Sequence, residues 1–162
     1  MPSYGRTSAN AIAIASLLAE RWEGGRRTTS KEAAAGRGIS KPLAARILVM
    51  MAQAGFVEGT PGPNGGYALS REPGAILLSE IVSVFQRLDP QDRCPYGPGW
   101  CGTGNPCPLH DELIRQEESH QEFLRKTSLS VFVGRSPERT SKPPAPKPGP
   151  KRPGRPSKPR SP

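Results

Sequence analysis

TTSKEAAAGRG (residues 28–38), ISKPLAARILVMMAQAG (39–55) and FVEGTPGPNGGYAL (56–69) run consecutively, and their joint reading decides the fold. Thr29 followed by Glu32 makes a capping box: hydroxyl and carboxylate satisfy the free amides that open a short helix through Ala33, Ala34 and Ala35. Gly36-Arg37-Gly38 breaks the chain again. Ser40 is a good N-cap for the next helix, Pro42 is tolerated in its first turn, and Leu43, Ile47, Met50 and Met51 form an apolar stripe that stops at Gly55. Two short helices joined at a glycine turn is helix-turn-helix geometry. Phe56 to Thr60 has strand-like content, and Tyr67-Ala68-Leu69 returns beside it. Asn64-Gly65 between them is a hairpin signal, because both residues tolerate positive φ. The sequence therefore predicts a mainly α-helical fold with a small β-hairpin, a winged helix-turn-helix.

Upstream, Ala11, Ile14, Ala15, Leu18 and Trp22 recur at spacings of three and four, which predicts an amphipathic helix with one buried stripe, ended by Gly24-Gly25. Downstream, Leu78, Ile81, Val82 and Phe85 mark a fourth short helix. A Gly-, Pro- and Cys-rich segment follows, and a longer helix then runs from about Leu109 to Leu124 with Leu113, Ile114 and Phe123 on its apolar side.

A chain of 162 residues suits one domain with a modest core, yet 20 prolines and 18 glycines are too many for a compact fold of that size. The C-terminal stretch explains the excess. Between Ser136 and Pro162 there are eight Lys or Arg, one acid and ten prolines, so residues 136–162 read as a disordered, basic, Pro-rich tail of net charge +7. Residues 1–135 carry fifteen basic and thirteen acidic residues, and the high pI is mostly a property of the tail. The longest apolar run, Ala11 to Ala19, is far short of the ~18 residues that cross a bilayer, which excludes a helical membrane span. It continues into Glu20-Arg21-Trp22 with helical periodicity, unlike a signal peptide, so the expected location is cytoplasmic.

In a helix-turn-helix the second helix enters the major groove, and side chains near its N-terminus reach bases and phosphates. That helix opens at Ser40. Ser40, Lys41 and Pro42 are placed at its mouth, Arg46 one turn later reaches phosphate or guanine, and the opening amides favour a phosphate oxygen. Thr28, Thr29 and Ser30 offer further backbone contacts, and the wing tip Gly62 to Gly66, with Asn64 and Gly65, is slim enough to enter or cover the minor groove.

Cys94, Cys101 and Cys107 are separated by six and five residues, and His110 follows three positions after Cys107. Such an odd set in a Gly/Pro-rich loop suits a metal or redox site in a reducing compartment better than a disulfide framework. Iron–sulfur clusters take thiolates with occasional histidine substitution, and structural zinc also takes three Cys and one His, although its usual paired spacing is shorter. Both readings stay open on chemistry alone. A Cys-His nucleophile pair lacks an orienting acid and an oxyanion hole, so no enzyme is expected.

Gly38-Ile39-Ser40, Ala54-Gly55-Phe56-Val57, Gly62-Pro63-Asn64-Gly65-Gly66-Tyr67, Ile81-Val82 and Cys107-Pro108-Leu109-His110 together resemble the Rrf-two family of bacterial winged-helix regulators, of the IscR and NsrR type, over about residues 6–133. The resemblance implies a repressor that binds double-stranded DNA at a palindromic operator as a homodimer. It makes about 109–126 the dimerisation helix and about 89–108 a cysteine loop whose cluster senses iron, nitric oxide or redox state. His110 stands where the family's cluster regulator has its histidine ligand, which favours 2Fe-2S over 4Fe-4S, with zinc as the alternative metal. Three positions depart from the family pattern: Pro61 replaces the arginine common in the wing, Leu77 replaces the threonine that usually caps the fourth helix, and Ser8-Ala9-Asn10 offers no carboxylate ligand. In the tail, Lys151-Arg152-Pro153-Gly154-Arg155-Pro156 resembles an AT-hook interrupted by Pro153.

Overall fold

A computed structural model describes residues 4–86, 106 and 108–135. Five α-helices occur there in the order α1 (Arg6–Glu20), α2 (Ser30–Arg37), α3 (Lys41–Gln53), α4 (Leu78–Phe85) and α5 (His110–Lys126), and the strands β1 (Val57–Thr60) and β2 (Gly66–Leu69) lie between α3 and α4. Short 3-10 turns at Pro73–Ala75 and Leu129–Phe132 complete the set. This is the expected winged helix-turn-helix.

α1 is the centre of the domain. Ala11, Ile14, Ala15 and Leu18 are buried as the periodicity predicts, and Leu17, Ala19, Ser8 and Ser16 are buried too, because α2, α3, α4 and the 129–132 turn surround the helix. Trp22 does not continue the stripe: α1 ends at Glu20, and Trp22 falls in the following turn with about a third of its surface exposed (36%). α2 passes through Gly36 and stops at Gly38, whose left-handed φ of 62° caps it in a conformation that costs glycine little. α3 sends Ala44, Ile47, Leu48 and Met51 into the core against Ile14, Leu18, Ile76, Ile81 and Val82 of the same cluster.

The hairpin is antiparallel, with Val57 opposite Leu69 and Thr60 opposite Gly66. A third segment joins it: Thr28 N–H donates to Tyr67 O at 2.8 Å and Tyr67 N–H to Thr28 O at 2.9 Å, tying the entrance of α2 to the wing. The turn differs from the sequence expectation. No non-glycine residue of the described chain has positive φ, so Asn64-Gly65 does not form the mirror-image turn; Gly62 (106°) and Gly66 (141°) take positive φ instead. Gly65 N–H donates to Gly62 O at 3.0 Å around Pro63 and Asn64, a turn that proline favours at its second position. Gly65 is needed for space, since a Cβ there would stand 2.1 Å from Thr60 O.

α5 begins and ends close to expectation. Leu124 is buried against the domain, while Ile114 and Phe123, read as part of its apolar side, are exposed in the single chain (41% and 53%). Its C-terminal end is fastened to the domain by Leu78 N–H to Thr127 O and Leu129 N–H to Ile76 O, both at 2.9 Å, with Leu129 fully buried.

Candidate nucleic-acid interface

The polar residues singled out in the sequence lie at the start of α2, along α3 and at the wing tip. At α2 the capping box is complete: Glu32 N–H donates to Thr29 Oγ1 at 3.2 Å, and Thr29 N–H donates to Glu32 Oε2 at 2.9 Å. The Thr29 amide, helped by its hydroxyl and by Arg26, holds the Glu32 carboxyl below the usual glutamate range against the opposing effect of burial. Thr29 is exposed and Ser30 half-buried. Thr28 does not join them. It is fully buried, paired with Tyr67, and its hydroxyl accepts from Arg21 Nη1 at 2.8 Å, so it shapes the α2 entrance and cannot touch DNA.

Ser40 occupies the N-cap position of α3 with extended backbone, but its exposed side chain makes no capping bond. The cap position was legible; the bond was not. No acidic residue stands in the first turn of α3, and neither Lys41 nor Arg46, both exposed, has a carboxylate partner among the described residues. Opposite the buried side, Pro42, Arg46, Val49 and Gln53 are exposed at spacings of four, three and four, a single outward stripe. Val49 and Gln53 were missed in the sequence, although extending the helical period from the outward residues Pro42 and Arg46 points to both. The wing tip presents Pro61, Gly62, Pro63 and Asn64 to solvent, with Gly65 half-buried beneath them. The arrangement is thus a helix end free of acids, an outward helix face whose guanidinium has no carboxylate partner among the described residues, and a slim hairpin beside it.

This pattern has counterparts. A family model described as "Rrf2: Iron-dependent Transcriptional regulator" matches residues 5–135. The chain belongs to the Rrf2 family. It is 28% identical over 124 residues to an HTH-type transcriptional regulator of Aquifex aeolicus, covering 75% of this chain and 84% of that one. It is 31% identical over 97 residues to IscR of Klebsiella pneumoniae, covering 60% of this chain and 59% of that relative. Among solved structures, CymR of B. subtilis superposes with a TM-score of 0.65 at 24% identity, covering 82% of this chain and 97% of that one. T. potens IscR does so with a TM-score of 0.59 at 21% identity, covering 79% and 84%. This Rrf2 protein is therefore a DNA-binding transcriptional regulator, not an enzyme.

The expected metal ligands of the regulator are only partly within view. Cys94, Cys101 and Cys107 lie outside the described residues, as does the tail from residue 136; His110 is the first residue of α5. Among the described residues no group of three His, Cys, Asp or Glu side chains forms a rival metal site, and no helix is long and apolar enough to cross a membrane.

Proposed function

We propose that this regulator is a repressor that binds a palindromic operator as a homodimer, gated by an iron–sulfur cluster of the 2Fe-2S type on Cys94, Cys101, Cys107 and His110. The observation that carries the reading is the position of His110 at the start of α5, a helix whose other end is hydrogen-bonded to the DNA-binding domain. Three thiolates and one imidazole are a donor set that such clusters accept. The family description as iron-dependent agrees. When bound, the cluster supplies a reversible response to iron, nitric oxide or redox state.

The chain's own residues do the rest. Leu109 and Phe123 leave apolar surface exposed on one side of α5, and a second α5 is the partner that buries it. α5 is held to the domain at Thr127 and Leu129, and its first residue, His110, would be the fourth ligand, so this one helix would join the cluster to the DNA-binding domain. In a dimer the separation of the two α3 helices must match half-sites about one DNA turn apart. Ser40, Lys41, Pro42 and Arg46 of α3 then enter the major groove, Thr29 and Ser30 meet the backbone, and Gly62, Asn64 and Gly65 of the wing lie along the minor groove. Residues 1–135 form the regulatory unit, and residues 136–162 add non-specific affinity through charge.

An anaerobic visible spectrum of the full chain, with iron and sulfide counted per protomer, tests the reading. Charge-transfer bands that disappear in each of Cys94→Ala, Cys101→Ala and Cys107→Ala are the expected result, and a spectrum altered by His110→Ala identifies the fourth ligand. A colourless protein with stoichiometric zinc replaces the cluster by a zinc-stabilised regulator, and one with neither metal leaves a thiol switch.

A further inference from the structure

We infer that Arg46 and Val49 of α3 read neighbouring base pairs of the operator half-site, Arg46 a guanine and Val49 the 5-methyl group of a thymine. The inference rests on α3 being the recognition helix and goes beyond it by assigning what is read. Val49 is 45% exposed on the side of α3 turned away from the buried Ile47, Leu48 and Met51, so packing among the described residues does not account for a valine there. A single exposed apolar side chain is ordinary, but Val49 shares the outward stripe with Pro42, and Ala45 flanks both half-buried. The result is a short apolar strip beside one guanidinium, on a helix that holds no acid anywhere from Lys41 to Gln53.

The chemistry of the two side chains fits two different base edges. Arginine is the bidentate partner of guanine O6 and N7, and Arg46 has no carboxylate to compete for it among the described residues. In the major groove the thymine methyl is the one apolar group a base offers, and only an apolar side chain gains by covering it. A β-branched valine has one dominant rotamer in a helix, so its two methyls are already fixed before DNA arrives and little entropy is lost on contact. Three residues of helix rise span about 4.5 Å. One base-pair step is about 3.4 Å, so the thymine lies next to the guanine or one base pair beyond it.

The test begins by selecting the preferred duplex from a random DNA library with the full chain, then replacing each thymine singly by deoxyuridine, which removes only the methyl group. The parent protein should lose about fourfold in affinity at one thymine within two base pairs of a guanine, the value of one buried methyl-sized group. Replacing that guanine by adenine should cost about 10- to 100-fold, and Arg46→Ala should erase that penalty. Val49→Ala, checked for an unchanged melting curve, should bind the thymine and deoxyuridine duplexes equally. A Val49→Ala protein that keeps the parent's preference for thymine overturns the assignment, as does a parent indifferent to every replacement. If Lys41→Ala and Arg46→Ala still weaken binding in that case, α3 remains the recognition helix and only the thymine assignment falls. If they bind as the parent does, the recognition-helix reading has failed as well.

Discussion

Arg37 shows how much one side chain carries in a small domain. Its Nε donates to Ala13 O at 2.7 Å, and its Nη2 donates to Ser16 Oγ at 3.1 Å and to Glu20 Oε1 at 2.5 Å, joining α2 to α1. Both charged side chains are largely buried, with 16% and 11% of their surface exposed, so removing one strands the other. Arg37→Ala should lower unfolding free energy by about 3 kcal/mol in urea titrations. Arg37→Lys should recover only part of it, because an ammonium cannot present the planar fork that reaches three acceptors at once. Gly65 is constrained by space, not charge. Gly65→Ala drives a Cβ into Thr60 O and should weaken operator binding through the wing while moving the melting temperature little.

At the scale of elements, α2 and α4 use the same cap, and α4 lacks half of it. Leu77 N–H donates to Glu80 Oε2 at 2.8 Å, but a leucine side chain has no oxygen to accept the Glu80 amide, which donates to Leu77 O at 3.2 Å instead. Leu77→Thr restores that acceptor at a half-buried position whose backbone is already extended, and should raise stability by about 1 kcal/mol. Both capping carboxylates titrate below the usual glutamate range. For Glu32 the Thr29 amide is the main cause; for Glu80 burial works the other way and is outweighed by the Leu77 amide and Arg71. A carboxyl whose folded pKa is depressed contributes stability above its unfolded pKa and loses it as pH falls through the folded value. Melting temperature should therefore drop between about pH 6 and about pH 3. Glu32→Gln with Glu80→Gln should reduce that slope while lowering stability at neutral pH.

For the whole molecule, the exposed apolar residues of α5 and the basic tail make separate predictions. Phe123→Glu places a charge in the proposed dimer contact, and sedimentation should show a shift from dimer to monomer with the melting curve of the DNA-binding domain retained, since that side chain is exposed in the single chain. Removing residues 136–162 deletes eight basic side chains and one acid. For each phosphate that the tail neutralises, its removal makes the slope of log affinity against log salt shallower by about 0.9. Truncation should flatten the salt dependence and weaken random-sequence binding while preserving preference for the operator; an unchanged slope would remove the tail from the DNA interface.

The sequence by itself determined the order and type of the elements, because short-range rules govern them. The Thr29/Glu32 cap, the apolar period of α1 and α3, and the glycine-rich hairpin each involve residues a few positions apart. It also located the outward polar residues Lys41 and Arg46, since a helical period that marks the core marks its opposite face as well. Only the tertiary structure decided which faces are covered by distant chain. Thr28 looked like a surface hydroxyl and is sealed by Tyr67, some forty residues away. Phe123 and Leu124 are neighbours of similar apolarity, and only packing against the domain separates the exposed one from the buried one. Likewise Asn64-Gly65 carries the local signal for one turn, but the close approach of Gly65 to Thr60 and of Gly66 to Thr28 selects another, because steric exclusion by the returning chain exceeds a preference that two residues express alone.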